Sequence, residues 1–300
     1  MNSKDALRSI VTVQSSVPEN SFTAPLLGTE RSGSGVVINE DGLVLTVGYL
    51  VTEAEAVWLT TADGRTAPGH ALAYDQQSGF GLVQAMGRLD APPISLGDSA
   101  RAKRGDQVTL AGAGEAIEGR IVARQEFAGY WEYLLEQAIF TAPAHPSWGG
   151  AGLIGADGRL IGVGSLLLQM SGPDGVNDIN MSIPIELLPP ILDDLLQNGR
   201  VSSPARPWLG VYASDVDDKV VAINVDERGP AAAAGLRRGD VISDVRDHAV
   251  ESLADFYRHV WACGPAGADI PIRIIRDGRD MWLRINSADR ADYLRKPVLQ

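Results

Sequence analysis

The sequence predicts a mainly β protein of two domains, an antiparallel barrel or sandwich followed by a smaller domain mixing strands and helices. Three observations carry this. From "SIVTVQ" to "GRLIGVGSLLLQM" the chain is a series of short, alternating apolar runs parted by "NEDG", "TADG" and "GADG", each suited to a tight hairpin. Helical patterns are scarce between those runs, and parallel strands would need helical crossovers, so the pairing is antiparallel. With 300 residues, 45% hydrophobic and 21% charged, the composition is that of a soluble folded chain able to bury a sizeable core in at least one of two domains.

Taken in order, the β runs end at a helix, "PIELLPPILDDLLQNG", where Leu187, Leu188, Ile191, Leu192, Leu195 and Leu196 recur at helical spacing and Gly199 closes the segment. The first domain therefore spans 1–199. "RVSSPARP", rich in Ser and Pro and without apolar period, is the linker at 200–207. The second domain, 208–288, begins with strands "WLGVYA" and "KVVAINV". A short helix "PAAAAGL" follows, with Pro230 in its first turn and Gly235 at its end. Strand "RRGDVISDV" leads to the helix "SLADFYRHVWACG", in which Leu253, Phe256, Val260 and Trp261 share a face. "IPIRIIRDG" and "RDMWLRIN" form a last hairpin, and 289–300 is a tail.

Several function classes fall away. A net charge of −12 disfavours the phosphate contacts that nucleic-acid binding needs. The single cysteine, Cys263, is read as a small buried hydrophobe, and four scattered histidines offer no metal-ligand spacing; no metal or other cofactor is expected. "AGAGEAIEG" does not fit a phosphate cradle. No apolar run reaches the roughly 18 to 20 residues of a membrane helix. "MNSKDALRSIVTVQ" lacks the pattern of a secretory signal, which places the protein in the cytoplasm as written, or in the periplasm if a leader has been removed.

The second domain resembles a PDZ domain of the circularly permuted kind found in bacterial proteases, through "WLGV" at 208–211, "GPAAAAGLRRGDVI" at 229–242 and the helix after it. The resemblance implies that an extended peptide or free C-terminus adds as a strand. Backbone N–H groups of Leu209, Gly210 and Val211 would receive its carboxylate, and Leu209, Phe256 and Val260 would line the pocket for its last side chain. With a PDZ domain behind it, the first domain resembles the trypsin-like domain of the HtrA family. "SGSGVVINEDGLVLT", "LGDSARAKRGDQVTLAG" and "PIELLPPILDDLLQNGRVSSPARPWLGV" carry that likeness, and the match covers almost all of 8–288. It implies two perpendicular six-stranded antiparallel barrels with a cleft between them.

Serine protease chemistry requires a nucleophilic hydroxyl, a histidine base and a buried carboxylate that orients the histidine. The family's histidine follows the "LT" strand in a pattern like T-N-x-H-V-V, where this chain has Tyr49 in "TVGYLV". Its aspartate lies in D-x-x-[ST]-D-L-A-x-L, where "DQQSGFGLV" has Gly79. Its serine lies in G-N-S-G-G-P-L, where "SWGGAGL" has Gly149. A glycine has no nucleophile, and a phenol of pKa near ~10 is a poor base at neutral pH. Asn180, in "INMSIP", stands where a family glycine would leave room for a substrate side chain. Gly149 retains a backbone N–H near the former oxyanion site. His145 and Ser147 are too close along one loop to act as a relocated pair and are read as a surface histidine and a turn serine, while His70, His248 and His259 match no catalytic position.

The sequence thus points to a catalytically inactive HtrA-like protein that binds peptides or protein C-termini and acts as adaptor, scaffold or chaperone-like binder, with an active family member or itself as a further partner. The rival is an active endopeptidase of protein quality control with displaced catalytic groups. Active members commonly trimerise through aromatic residues near the N-terminus, and "MNSKDALRSIVTV" offers none.

Overall fold

The computed structural model describes residues 7–172 and 175–295, so the first six residues of the N-terminal segment and the last five of the tail lie outside the described residues. The chain divides into two compact units: Met1–Gln125 with Gln137–Ser202 and Leu294–Gln300, and Ser203–Tyr293 with Glu126–Glu136. Residues 126–136, inside the span expected for the first domain, cluster with the second unit.

Two closed six-stranded barrels build the first unit. In the first, β1 (Ile10–Ser16), β2 (Glu30–Val37), β3 (Leu43–Val47), β4 (Ala56–Thr61), β5 (Thr66–Tyr74) and β6 (Phe80–Ala85) close in the order β1-β2-β3-β6-β5-β4. In the second, β7 (Gln107–Gly112), β8 (Glu115–Gly129), β9 (Tyr133–Ala142), β10 (Gly152–Gly155), β11 (Leu160–Gly172) and β12 (Gly175–Pro184) close in the order β10-β11-β12-β9-β8-β7. Pairing between these neighbours is antiparallel, as at β1 with β2 and β11 with β12. The Asp-Gly hairpins turn on Gly42, Gly64 and Gly158, whose φ of 77°, 85° and 78° is the left-handed conformation glycine adopts without a Cβ clash. On β1, alternation buries Val11, Val13 and Ser15 and turns Gln14 and Ser16 outward, while all five residues of β3 are buried.

Helix α1 (Ala24–Leu27) is a single turn; α2 (Pro189–Asn198) opens with Pro189 in its first turn and stops at Gly199, φ 68°. The stripe foreseen for it is narrower than its sequence suggests. Leu188 and Leu195 are buried but Leu196 is 42% exposed. Residues 185–187 form a separate 3-10 turn, because the Pro189–Pro190 pair withholds the N–H groups that a continuous helix would need.

In the second unit, β13 (Val211–Val216), β14 (Lys219–Val225), β15 (Val241–Val245), β17 (Asp269–Arg276) and β18 (Arg279–Asn286) form a sheet in that order, with the short β16 (His248–Ala249) paired to β15. β13 is an edge strand. Helix α3 (Pro230–Ala233) and helix α4 (Leu253–Trp261) complete the unit. The Ser252 hydroxyl caps α4 by accepting from the Asp255 N–H, and Leu253, Phe256, Tyr257 and Val260 bury its inner face. Trp261 is half-buried, with the Arg206 guanidinium 4.1 Å over its ring.

Two readings require correction here. "WLGVYA" is not one strand: Leu209 and Gly210 form a loop, with Gly210 at φ 78°, and β13 begins at Val211. Cys263 is only half-buried: it follows the last turn of α4 at the border of the apolar cluster, and its thiol donates to the His259 carbonyl at 3.2 Å. His248 is exposed and stacks on His259 with centroids 5.1 Å apart. Among the described residues no helix is long and apolar enough to cross a membrane.

Candidate functional site

Tyr49, Gly79 and Gly149 meet in the first unit although they are far apart in sequence. Tyr49 lies in the 3-10 turn Gly48–Leu50 at the end of β3, where the Gly48 N–H donates to the Gly79 carbonyl at 2.7 Å. The Tyr49 hydroxyl donates to the Ser165 carbonyl at 3.0 Å and lies 2.7 Å from the point where a Cβ on Gly149 would be placed. The phenol occupies the space into which a side chain at position 149 would extend. Burial pushes its pKa up from the ordinary 10, so it is protonated at neutral pH and no base.

The surroundings fix this arrangement. Arg31, buried on β2, donates to the Tyr49 and Thr52 carbonyls at 2.8 and 2.9 Å and to the Thr23 hydroxyl at 2.8 Å. Glu53, also buried, accepts from the Phe22, Thr23 and Arg295 N–H groups and from the Thr23 hydroxyl at 2.6 Å. Burial works to raise the Glu53 pKa, but those hydrogen bonds together hold the carboxyl below its usual range. Sequence reasoning missed this buried pair, which anchors the turn bearing Tyr49. Gly79 follows a turn capped by Asp75, whose carboxylate accepts from the Ser78 N–H and hydroxyl at 2.8 and 2.6 Å. With φ 86°, Gly79 sits in a conformation that disfavours any side chain, a carboxylate included.

The loop between β9 and β10 holds a correction. His145 is fully buried, not a surface histidine. Its ring Nδ1 accepts from the Ser147 N–H at 2.9 Å, and Nε2, which then carries the proton, lies 3.2 Å from the Glu115 carbonyl. Its own N–H donates to Asn180 Oδ1 at 2.5 Å. A loop tied at three points has to bury the imidazole. In a serine protease the oxyanion is held by the N–H of the nucleophile and that of the residue two before it, here Gly149 and Ser147. The Ser147 N–H is spent on His145 and does not point free into such a site. Asn180 is fully buried beside this loop on β12.

A different site is assembled in the second unit. The N–H groups of Leu209, Gly210 and Val211 do converge on a carboxylate, that of Glu132: Leu209 N lies 3.0 Å from Oε2, and Gly210 N and Val211 N lie 2.7 and 3.0 Å from Oε1. Leu209, Phe256 and Val260 are buried at 0%, 0% and 1% exposure, in one apolar cluster with Leu134. The pocket lining is therefore covered by the chain itself. Nothing in the reading of the sequence singled out Glu132; the available signal was the density of aromatics around it, Phe127, Tyr130, Trp131 and Tyr133, in what otherwise reads as a barrel hairpin.

Comparison with known proteins agrees with this architecture. The trypsin-like peptidase domain family matches residues 33–163 and the PDZ domain family residues 207–286. A probable periplasmic serine endoprotease DegP-like of Halomonas elongata is 26% identical over 87% of this chain and 57% of its own length; the periplasmic serine endoprotease DegP of Escherichia coli K12 is 27% identical over 83% and 55%. The chain thus spans little more than half the length of these curated relatives. Among solved structures, the HtrA-type protease AlgW with decapeptide superposes with a TM-score of 0.58 at 22% identity, covering 99% of this chain and 100% of the other. A serine endoprotease from Yersinia pestis gives 0.56 at 22% identity, covering 96% and 98%. At such identity the structural likeness establishes the fold, two trypsin-like barrels and a PDZ domain.

Proposed function

Because this chain belongs to the HtrA family, with a trypsin-like peptidase domain ahead of a PDZ domain, we propose that it binds peptides or protein C-termini through the PDZ domain without cleaving them, as an adaptor, scaffold or chaperone-like binder. The observation that carries the loss of catalysis is the Tyr49 hydroxyl seated 2.7 Å from where a side chain at Gly149 would begin. Acyl transfer needs a nucleophile, a base to take its proton and two donors for the developing oxyanion. Here the nucleophile position has no side chain, the base position holds a buried phenol, and the Ser147 donor is turned onto His145. Asn180, bound to the His145 main chain, fills space where a substrate side chain would enter.

Binding rests on the three converging N–H groups at Leu209, Gly210 and Val211, whose geometry accepts a carboxylate. Gly210 makes this possible: at φ 78°, with a Cβ placed only 3.1 Å from the Gly229 Cα, no other residue fits without displacement. Assembly with an active family member would place the silent cleft beside a working one, and assembly with itself would gather several PDZ domains without any cleavage.

Incubation of the purified protein with casein and with a fluorophosphonate probe tests the loss of catalysis. The expected result is neither fragments nor label. Hydrolysis, or label on a serine, would place the chain with its relatives named as endoproteases and show that another residue serves as nucleophile.

A further inference from the structure

The segment that fills the carboxylate loop lies there in the manner of a peptide ligand. Val211 N donates to the Glu132 carboxylate, and two residues along β13 the Ala213 N–H donates to the carbonyl of Tyr130, two residues back from Glu132, at 3.0 Å. The offset, forward by two on one segment and back by two on the other, matches antiparallel pairing at the open edge of β13, made here by one backbone hydrogen bond from the turn that joins β8 and β9. On the opposite side of the groove, the Tyr257 hydroxyl of α4 donates to the Gly129 carbonyl at 2.8 Å and accepts from the Glu132 N–H at 3.1 Å. At Glu132 the backbone turns to φ 61°, a conformation unusual for a residue with a side chain. The main chain leaves the groove at that point, and the side chain continues into the loop where a chain terminus would end. Leu134 joins the apolar cluster of Leu209, Phe256 and Val260. Arg258 of α4 ties down both flanks of the segment, pairing with Glu126 and with Glu136.

We propose that residues 129–134 are an internal ligand of the PDZ groove, with the Glu132 side chain standing in for the α-carboxylate of an external C-terminus, and that a protein C-terminus enters only by displacing them. The inference rests on reading the groove as a peptide site. The two ligands compete for the same N–H groups and the same strand edge, so they exclude each other. Apparent affinity for an external peptide is then its intrinsic affinity reduced by the fraction of molecules with an open groove. An open fraction of about one in ten to one in a hundred would weaken binding about tenfold to a hundredfold. The charge of Arg290, which acts on the Glu132 carboxylate, is available to either occupant.

The test compares the full chain with Glu132→Ala and with Tyr257→Phe, which removes the bridging hydroxyl while leaving the loop intact. A library of fluorescent peptides with free or amidated C-termini is read by polarisation, and exchange of the 126–136 amides by mass spectrometry. Expected are at least tenfold tighter binding of free-acid peptides by both variants, faster exchange of 126–136 in the variants, and faster exchange in the parent once peptide is bound. Equal affinity in parent and variants, or peptide binding that leaves 126–136 protected, would overturn the internal ligand while keeping the peptide site. If the variants show an opened segment yet bind no free-acid peptide, the peptide site itself is wrong and the proposal falls with it.

Discussion

The Tyr49 hydroxyl donates to the Ser165 carbonyl at 3.0 Å and stands 2.7 Å from where a Cβ on Gly149 would lie. Restoring a serine at 149 forces this phenol aside without supplying a base. Gly149→Ser is therefore expected to lose about 1–3 kcal/mol, the usual range for overpacking, and to gain no activity. Urea unfolding and fluorophosphonate labelling read the two effects, and a labelled Ser at 149 would show that some other group takes its proton.

Rebuilding the whole triad is expected to fail as well. Gly79→Asp places a side chain on a backbone at φ 86°, a strain of about 1–2 kcal/mol, and the Ser147 N–H remains bound to His145 at 2.9 Å. The variant carrying Tyr49→His, Gly79→Asp and Gly149→Ser should turn over no casein. Measurable turnover would mean that loop 145–149 rearranges readily into a working oxyanion site.

Asn180 has a structural duty that its position in a former pocket does not suggest. Its Oδ1 receives the buried His145 N–H at 2.5 Å. Asn180→Ala leaves that donor unpaired, so a loss of roughly 1–3 kcal/mol is expected. Unchanged stability in denaturant would indicate that the loop finds another acceptor.

The internal ligand carries a pH signature. Burial pushes the Glu132 carboxyl up from 4.5 to about 7, against the pull of the Val211, Leu209 and Gly210 N–H groups and of Arg290. The other titratable groups facing it, Tyr257 and Tyr212, are held above their ordinary values by burial and stay neutral. Between pH 4.5 and about 7 the docked segment thus binds more protons than the released one. Raising the pH across that window favours release by at most about tenfold per unit and has no further effect above it. A free peptide's α-carboxyl, with a pKa of about 3.5, is ionised throughout, and once in the groove it meets the same burial in parent and variant alike. The ratio of peptide affinity in the parent to that in Glu132→Gln should therefore rise from pH 5 to 7 and then level off. A ratio that falls over this range would contradict the docked geometry.

Much of this was legible in the sequence because it depends on local signals. Alternation and Asp-Gly turns pointed to an antiparallel barrel or sandwich, the resemblance to the HtrA family made that two barrels, and the glycines at 79 and 149 could be read directly as residues without side chains. Burial that depends on distant partners was not legible. His145, between an alanine and a proline, reads as an exposed loop residue until Asn180, 35 positions away, is seen to hold it. Glu132 reads as a hairpin residue until residues some 77 to 79 positions later close around its carboxylate. Charge and periodicity say nothing about such pairings, since the sequence carries no record of which loop faces which strand edge.

The central claim is recognition without cleavage, and one measurement addresses both halves. A fluorescent peptide with a free C-terminus, chosen from the library for binding, is held with excess protein and its polarisation followed for hours beside an amidated control. The account predicts a rise for the free acid alone, then a constant plateau. A rise that decays as labelled fragments are released, or an equal rise for the amidated control, would contradict it.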